Sequence, residues 1–173
     1  MARKEKESSS VEKEGFVDHV VSVRRVTKVT KGGKRFSFSA FVISGNKQGQ
    51  VGVALGKSKE ATAAIAKATS RARKELITVP LRGATIPYKA LGKHGSARVV
   101  IIPASKGTGK IAGGSVRSIM DAVGIEDVLT KSVGAGSAIN VAKATLNALA
   151  KLRTAEYMAK LRGITVKEMV KGA

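Results

Sequence analysis

From Phe16 onward, valines and polar residues interleave in the pattern of strands. Phe16–Val29 carries Val17, Val20, Val21, Val23, Val26 and Val29 and reads as one long strand. Thr30-Lys31-Gly32-Gly33-Lys34 interrupts it, and adjacent glycines reach the positive φ angles of a tight hairpin without steric cost. Arg35–Ser44 alternates, with Phe36, Phe38, Ala40 and Val42 on one face and Ser37 and Ser39 on the other. That is the pattern of a strand buried on one side. Gly45-Asn46-Lys47-Gln48-Gly49 is a second turn, and Gln50–Leu55 a third strand, completing an antiparallel meander. A helix follows: Ser58 reads as its N-cap and Glu60 as an acid in its first turn. Ala61, Ala64, Ile65, Ala68, Ala72 and Leu76 recur at helical spacing and offer a small-residue face to the sheet, while Lys67, Arg71 and Lys74 share another face. The first unit is β-β-β-α.

The second half is patterned less clearly. Val79–Gly83 reads as a connector, Ile86–Lys89 as a short strand and Ala97–Ile102 as a stronger one. Pro103–Gly114 is a glycine-rich loop leading into a short helix, Ser115–Val123, with Val116, Ile119, Met120 and Val123 inward. Ile125–Val133 reads as a strand whose start is blurred by Glu126 and Asp127. Ser137 is placed to cap a longer helix through Lys151 that packs Ile139, Ala142, Leu146 and Leu149. Helical character returns at Tyr157–Leu161 and Val166–Val170, and no fixed-period repeat is visible. Met1–Glu14 is polar and rich in Ser and Glu, so it is expected to stay disordered until bound. The expected organisation is a tail over 1–14, a first domain over 15–80, a second over 81–155 and a helical extension over 156–173.

Charge changes the picture from a fold to a binder. The chain has 173 residues with 32 Lys or Arg against 12 Asp or Glu, a formal charge of +20. Residues 1–80 hold 17 basic and 7 acidic residues, and 81–173 hold 15 and 5, so both halves are positive. Nine cations lie between Asp18 and Glu60, and seven between Glu75 and Asp121, with no acid in either stretch. Solvated surfaces normally mix both signs, so these stretches describe a positive face for a dense polyanion, of which nucleic acid is the commonest. Only four Phe, two Tyr and no Trp are present, which favours phosphate, sugar and shape contacts over base stacking. There is no Cys for a disulfide or a thiolate metal site. The N-terminus lacks the apolar core of a secretory signal, and no apolar run approaches a bilayer span, so no membrane partner is expected.

Two segments carry candidate chemistry. Arg24, Arg25, Lys28, Lys31, Lys34 and Arg35 cluster around the Gly32-Gly33 tip, a probe for a groove or junction of RNA. The alternative there is a charge-protected, solvated hairpin. The second segment is Ser105–Arg117, where a strand leads through glycines into a helix. Unpartnered helix-start N–H groups at Gly113 and Gly114, near Lys106, Gly107, Lys110 and Arg117, suit an anion. The Walker pattern fails at Ala104 and Ile111. Gly107, Gly109 and Ala112 satisfy a loose Gly-x-Gly-x-x-Ala dinucleotide fingerprint, with Asp127 placed as a ribose acid 18 residues past Gly109. A flexible loop with no ligand is the third reading. His19 and His94 have no metal-spaced partner, and Ser105 and Ser115 sit in no nucleophile elbow, so no catalytic residue, metal or cofactor is expected.

Three segments resemble a known family. Lys31–Ala40 followed by Gly45-Asn46 and Gly49-x-Val51-Gly52-x-Ala54-x-Gly56-Lys57 is similar to the signature of the bacterial small-subunit ribosomal protein S5 family. Pro103–Gly114 is similar to its second segment, and Ile139–Thr145 to a third. Ser44 departs where an aliphatic residue is usual, and Ala138 where Pro is common. The resemblance implies an α+β chain: a double-stranded-RNA-binding-like β-β-β-α domain lacking its leading helix, then an α/β two-layer sandwich. It also implies a left-handed β-α-β crossover, against the general right-handed rule. It implies binding to small-subunit ribosomal RNA near the messenger RNA entry channel, beside proteins S4 and S8, in the cytoplasm. The family is linked to decoding accuracy, and its hairpin to the spectinomycin site. The hairpin corresponds to Val26–Phe36, the loop to Lys106–Arg117, and Lys57 joins the RNA-binding candidates. A free double-stranded nucleic-acid binder and a nucleotide-dependent enzyme using Gly107–Ala112 are the alternatives.

Overall fold

The computed structural model describes residues 15–171; the expectation for Met1–Glu14 lies outside them. β1 (Val17–Thr30), β2 (Gly33–Gly45) and β3 (Gln50–Ser58) form the meander, and α1 (Ala61–Ala72) follows. A two-residue β4 (Ile77–Thr78) adds to β3, so the sheet order is β1-β2-β3-β4. The second unit contains β5 (Ala90–His94), β6 (Ala97–Pro103), β7 (Lys110–Ile111), α2 (Gly114–Val123), β8 (Val128–Val133) and α3 (Ala138–Leu149). Its sheet order is β5-β6-β8-β7, with β7 parallel to β8 and the other pairs antiparallel. α4 (Ala155–Arg162) and α5 (Val166–Lys171) complete the chain. A β-β-β-α unit followed by a second α/β sheet is the fold class expected.

Glycine and alanine bring each helix close to its sheet. A Cβ at Gly52 or Gly56 of β3 would overlap the backbone carbonyls of Ala72 or Ala64 on α1. On the second sheet a Cβ at Gly92 of β5 would overlap the Ala144 carbonyl of α3. Ala64, Ala68 and Ala72 are buried on α1, and Ala144 and Ala148 on α3.

Several local readings change in three dimensions. β2 is not half-buried throughout: Ala40, Phe41, Val42, Ile43 and Ser44 are all buried. Ala40 and Val42 cluster with Ala64 and Ala68 of α1, whereas Phe41 and Ile43 join Ile119, Met120 and Val123 of α2. One sheet therefore carries a helix on each face, and its second face holds the two halves together by burial of apolar surface. Ser58 ends β3 instead of capping α1; Glu60 takes the N-cap position, and neither it nor Ser137 makes a side-chain cap. Ile86–Lys89 is not a strand, since Pro87 donates no ladder hydrogen bond, and the strand lies at Ala90–His94 instead. His94 is the last residue of that strand. β7 lies inside the expected loop. β8 begins at Val128 because Gly124 ends α2 in the left-handed region, with φ 92°.

The turn between β2 and β3 locks onto the end of α2. Lys47 N–H donates to the Ala122 carbonyl at 2.9 Å and Gly49 N–H to the Val123 carbonyl at 2.9 Å, satisfying acceptors that a helix C-terminus leaves open. Asn46 Oδ1 accepts from the backbone N–H groups of Gln48 (2.9 Å) and Gln50 (3.1 Å), which holds the turn in shape.

Candidate nucleic-acid interface

The β1–β2 ladder continues to Thr30↔Gly33, whereas β3 pairs with β2 only as far as Phe38. Val26 to Ser37 is therefore a two-stranded arm extending past the third strand. Directly paired residues project from the same face of a sheet, so the register sorts the arm's cations. Arg24, Lys28 and Arg35 share one face, with Lys28 directly opposite Arg35. Arg24 pairs with Ser39, and Ser39 pairs with Lys57 of β3, so the fold adds Lys57 to the same face. Arg25 and Lys34 lie on the other face, and Lys31 and Gly32 form the tip. All seven cations named here are exposed, and no salt bridge among the described residues engages them. Like charges set opposite one another destabilise a free sheet, and a bound anion relieves that repulsion. The tip is closed by Thr30 Oγ1 donating to the Gly33 carbonyl at 3.0 Å, with Gly33 at φ 128°.

The second candidate is more structured than a flexible loop. Thr108 N–H and Oγ1 both donate to the Ser105 carbonyl, at 3.1 and 2.7 Å. Asp127, buried at the foot of β8, accepts a hydrogen bond from Gly109 N–H through Oδ1 at 2.8 Å. This overturns Asp127 as a ribose ligand: its carboxylate is turned inward and clamps the glycine turn. Lys110 pairs with Asp121 of α2, so its charge is largely compensated. Lys106 and Arg117 are exposed, and no salt bridge among the described residues involves them. Gly107 lies at the exposed top of the turn with φ 88°.

Gly113 and Gly114 open α2 without a side-chain cap, and a Cβ at either would meet nothing within 4 Å among the described residues. Close packing inside the chain therefore does not require them. Gly114→Val is expected to shift the melting temperature by only a few degrees, as for an exposed substitution costing about 0.5 to 1 kcal/mol. RNA association should fall by a larger factor, because the Cβ obstructs approach to the helix-start N–H groups. Thermal melting alongside filter binding decides it; a large loss of stability with unchanged binding of the folded fraction would assign the glycine to packing.

Catalytic chemistry finds no constellation. Among the described residues no three His, Cys, Asp or Glu side chains gather as a metal site requires. His19 lies in β1 with Nε2 buried and without a hydrogen-bond partner among the described residues. A groove of about 560 Å³ between Pro80–Arg82, Tyr88 and α4 is lined by Arg82, Arg153 and Arg162, and by no acid among the described residues.

A two-unit α/β fold that carries, on a protruding arm, cations without a salt bridge among the described residues defines a class of basic two-domain α/β proteins. The chain belongs to the ribosomal protein S5 family. The model described as ribosomal protein S5, N-terminal domain, matches residues 16–80, and that described as ribosomal protein S5, C-terminal domain, matches 92–162. The small ribosomal subunit protein uS5 of Flavobacterium psychrophilum is 52% identical over 155 residues, covering 90% of this chain and 89% of that protein. That of Salinibacter ruber is 46% identical over 172 residues, covering 98% of each. The family is structural and not enzymatic, which removes the nucleotide-dependent enzyme from consideration.

Proposed function

We propose that this protein binds small-subunit ribosomal RNA through phosphate and shape contacts made by the β1–β2 arm and the Ser105–Arg117 segment. As a member of its family it is a structural constituent of the small ribosomal subunit, and so of the cytoplasmic ribosome. In our reading it sits near the messenger RNA entry channel beside proteins S4 and S8 and contributes to assembly and translational accuracy. The observation that carries the RNA contact is the acid-free face joining Arg24, Lys28, Arg35 and Lys57 across three strands. Four cations converge there in one surface, and the Lys28–Arg35 opposition is favourable only with an anion between them.

The expected result is steeply salt-dependent binding. Each neutralised phosphate releases counterions, so engaging six phosphates would give a log–log slope of about −4 to −5. Equilibrium binding to a ribosomal RNA fragment across a salt series measures it, and a flat dependence would contradict the phosphate-led reading. Co-sedimentation with small subunits at moderate salt separates a ribosomal component from a free duplex binder.

A further inference from the structure

The two faces of the arm differ in chemistry. Opposite the cationic face lie Arg25, Thr27, Val29, Lys34 and Phe36, on the side of the sheet that carries Ala40 and Val42. Phe36 is 46% exposed and Val29 70% exposed. The chain has only four phenylalanines, so leaving one nearly half exposed on a protruding arm forfeits burial that an apolar side chain normally gains. The Arg25 guanidinium carbon lies 3.7 Å from the centroid of the Phe36 ring, well inside the 5.3 and 5.7 Å of the two other such pairs. No salt bridge among the described residues holds Arg25, so the ring, and not a carboxylate, orients it.

We propose that the Arg25–Phe36 pair is a seat for an unpaired nucleobase of the bound RNA. The proposal rests on the RNA-binding reading above and adds a base contact to its phosphate contacts. A nucleobase stacks on both an aromatic ring and a guanidinium plane, and its own phosphate would fall near Lys34 on the same face. An acidic peptide would satisfy the cations and leave the exposed part of the ring in water. A paired base keeps both its faces inside the helical stack, so the occupant is a bulged, looped or terminal base. The arm then engages RNA on both sides: phosphates on the Arg24–Lys28–Arg35–Lys57 face and a base on the Phe36 face.

The chain contains no tryptophan, so Phe36→Trp places its one tryptophan in the seat, excited at a wavelength that the two tyrosines do not absorb. The probes are three RNA hairpins of one stem sequence: with one unpaired adenosine, with an abasic residue in its place, and fully paired. The parent should prefer the adenosine hairpin over the abasic one by about tenfold, the lower part of the range for base–aromatic stacking. Phe36→Trp should keep the preference, and its emission should be quenched by the adenosine hairpin alone. Phe36→Leu keeps an apolar residue in the strand; it should lose the preference while binding the paired hairpin and melting as the parent does. Equal affinity of the parent for all three hairpins, with a steep salt dependence, would overturn the base seat and spare the phosphate contacts. Equal weakening on all three by Phe36→Leu would also overturn it, by making the residue structural. Absence of salt-dependent binding to any hairpin would sink the RNA reading itself.

Discussion

Lys31→Glu combined with Lys34→Glu is expected to leave the melting temperature near that of the parent and to reduce RNA binding by about 100-fold. The double change alters the formal charge by four units at the tip while keeping the Gly32-Gly33 turn and the Thr30–Gly33 hydrogen bond. Both lysines are exposed, and exposed substitutions usually shift stability by about 0.5 kcal/mol or less. Crowding with Lys28 and Arg35 is relieved, which favours the free fold. On RNA the balance reverses. A unit-charge contact at about 4 Å is worth about 1 kcal/mol in bulk water and about 4 kcal/mol near a protein surface before screening. Turning two attractions into repulsions therefore costs several kcal/mol even after salt has reduced each contact. Thermal melting with gradient co-sedimentation separates the two effects. A double variant that melts, assembles and translates like the parent would reduce the arm to a solvated hairpin.

Gly124→Val should strongly destabilise the fold, although residue 124 is half-buried and carries no side chain. Its φ of 92° lies in the left-handed region, where a side chain costs about 1 to 2 kcal/mol. The new Cβ would also run into the Lys47 carbonyl, on the turn whose N–H groups satisfy the end of α2. Overpacking of that kind costs about 1 to 3 kcal/mol. Together these predict a loss of about 2 to 5 kcal/mol and a melting temperature lower by about 10 °C. Gly136→Val, where a Cβ meets nothing within 4 Å, is the matched control and should melt close to the parent. Because one apolar cluster draws on both sheets, the parent should unfold in a single transition in urea. Separate transitions for the halves, or a Gly124→Val variant as stable as the parent, would show that the turn–helix lock does not couple them.

Local pattern was enough to locate β1, β2, β3, β6, α1, α2 and α3, because alternation and helical spacing record which side of an element meets the core. It also made the arm's cations and its glycine tip visible, since charge and turn chemistry are written in consecutive residues. The family resemblance rested on the same kind of signal, contiguous glycine-rich segments in fixed order. β5 escaped because Gly92 stands at its centre, and the reason for that glycine is the Ala144 backbone on a helix some fifty residues away. The burial of both faces of β2 escaped for a related reason: Phe41 and Ile43 face α2, and no local period announces a second helix on the far side of a sheet.

The amino-acid sequence by itself determined the β-β-β-α order that opens the first unit, the excess of positive charge and where along the chain it concentrates. Tertiary structure alone decided which charges act together. Register aligned Lys57 with Arg24 through Ser39, and folding paired Lys110 with Asp121 and turned Asp127 inward onto Gly109. Register also divided the arm into a cationic face and a face carrying Phe36 under Arg25. A charge or ring is defined locally, but its partner is set by cross-strand pairing and helix docking, and both depend on residues distant in the chain.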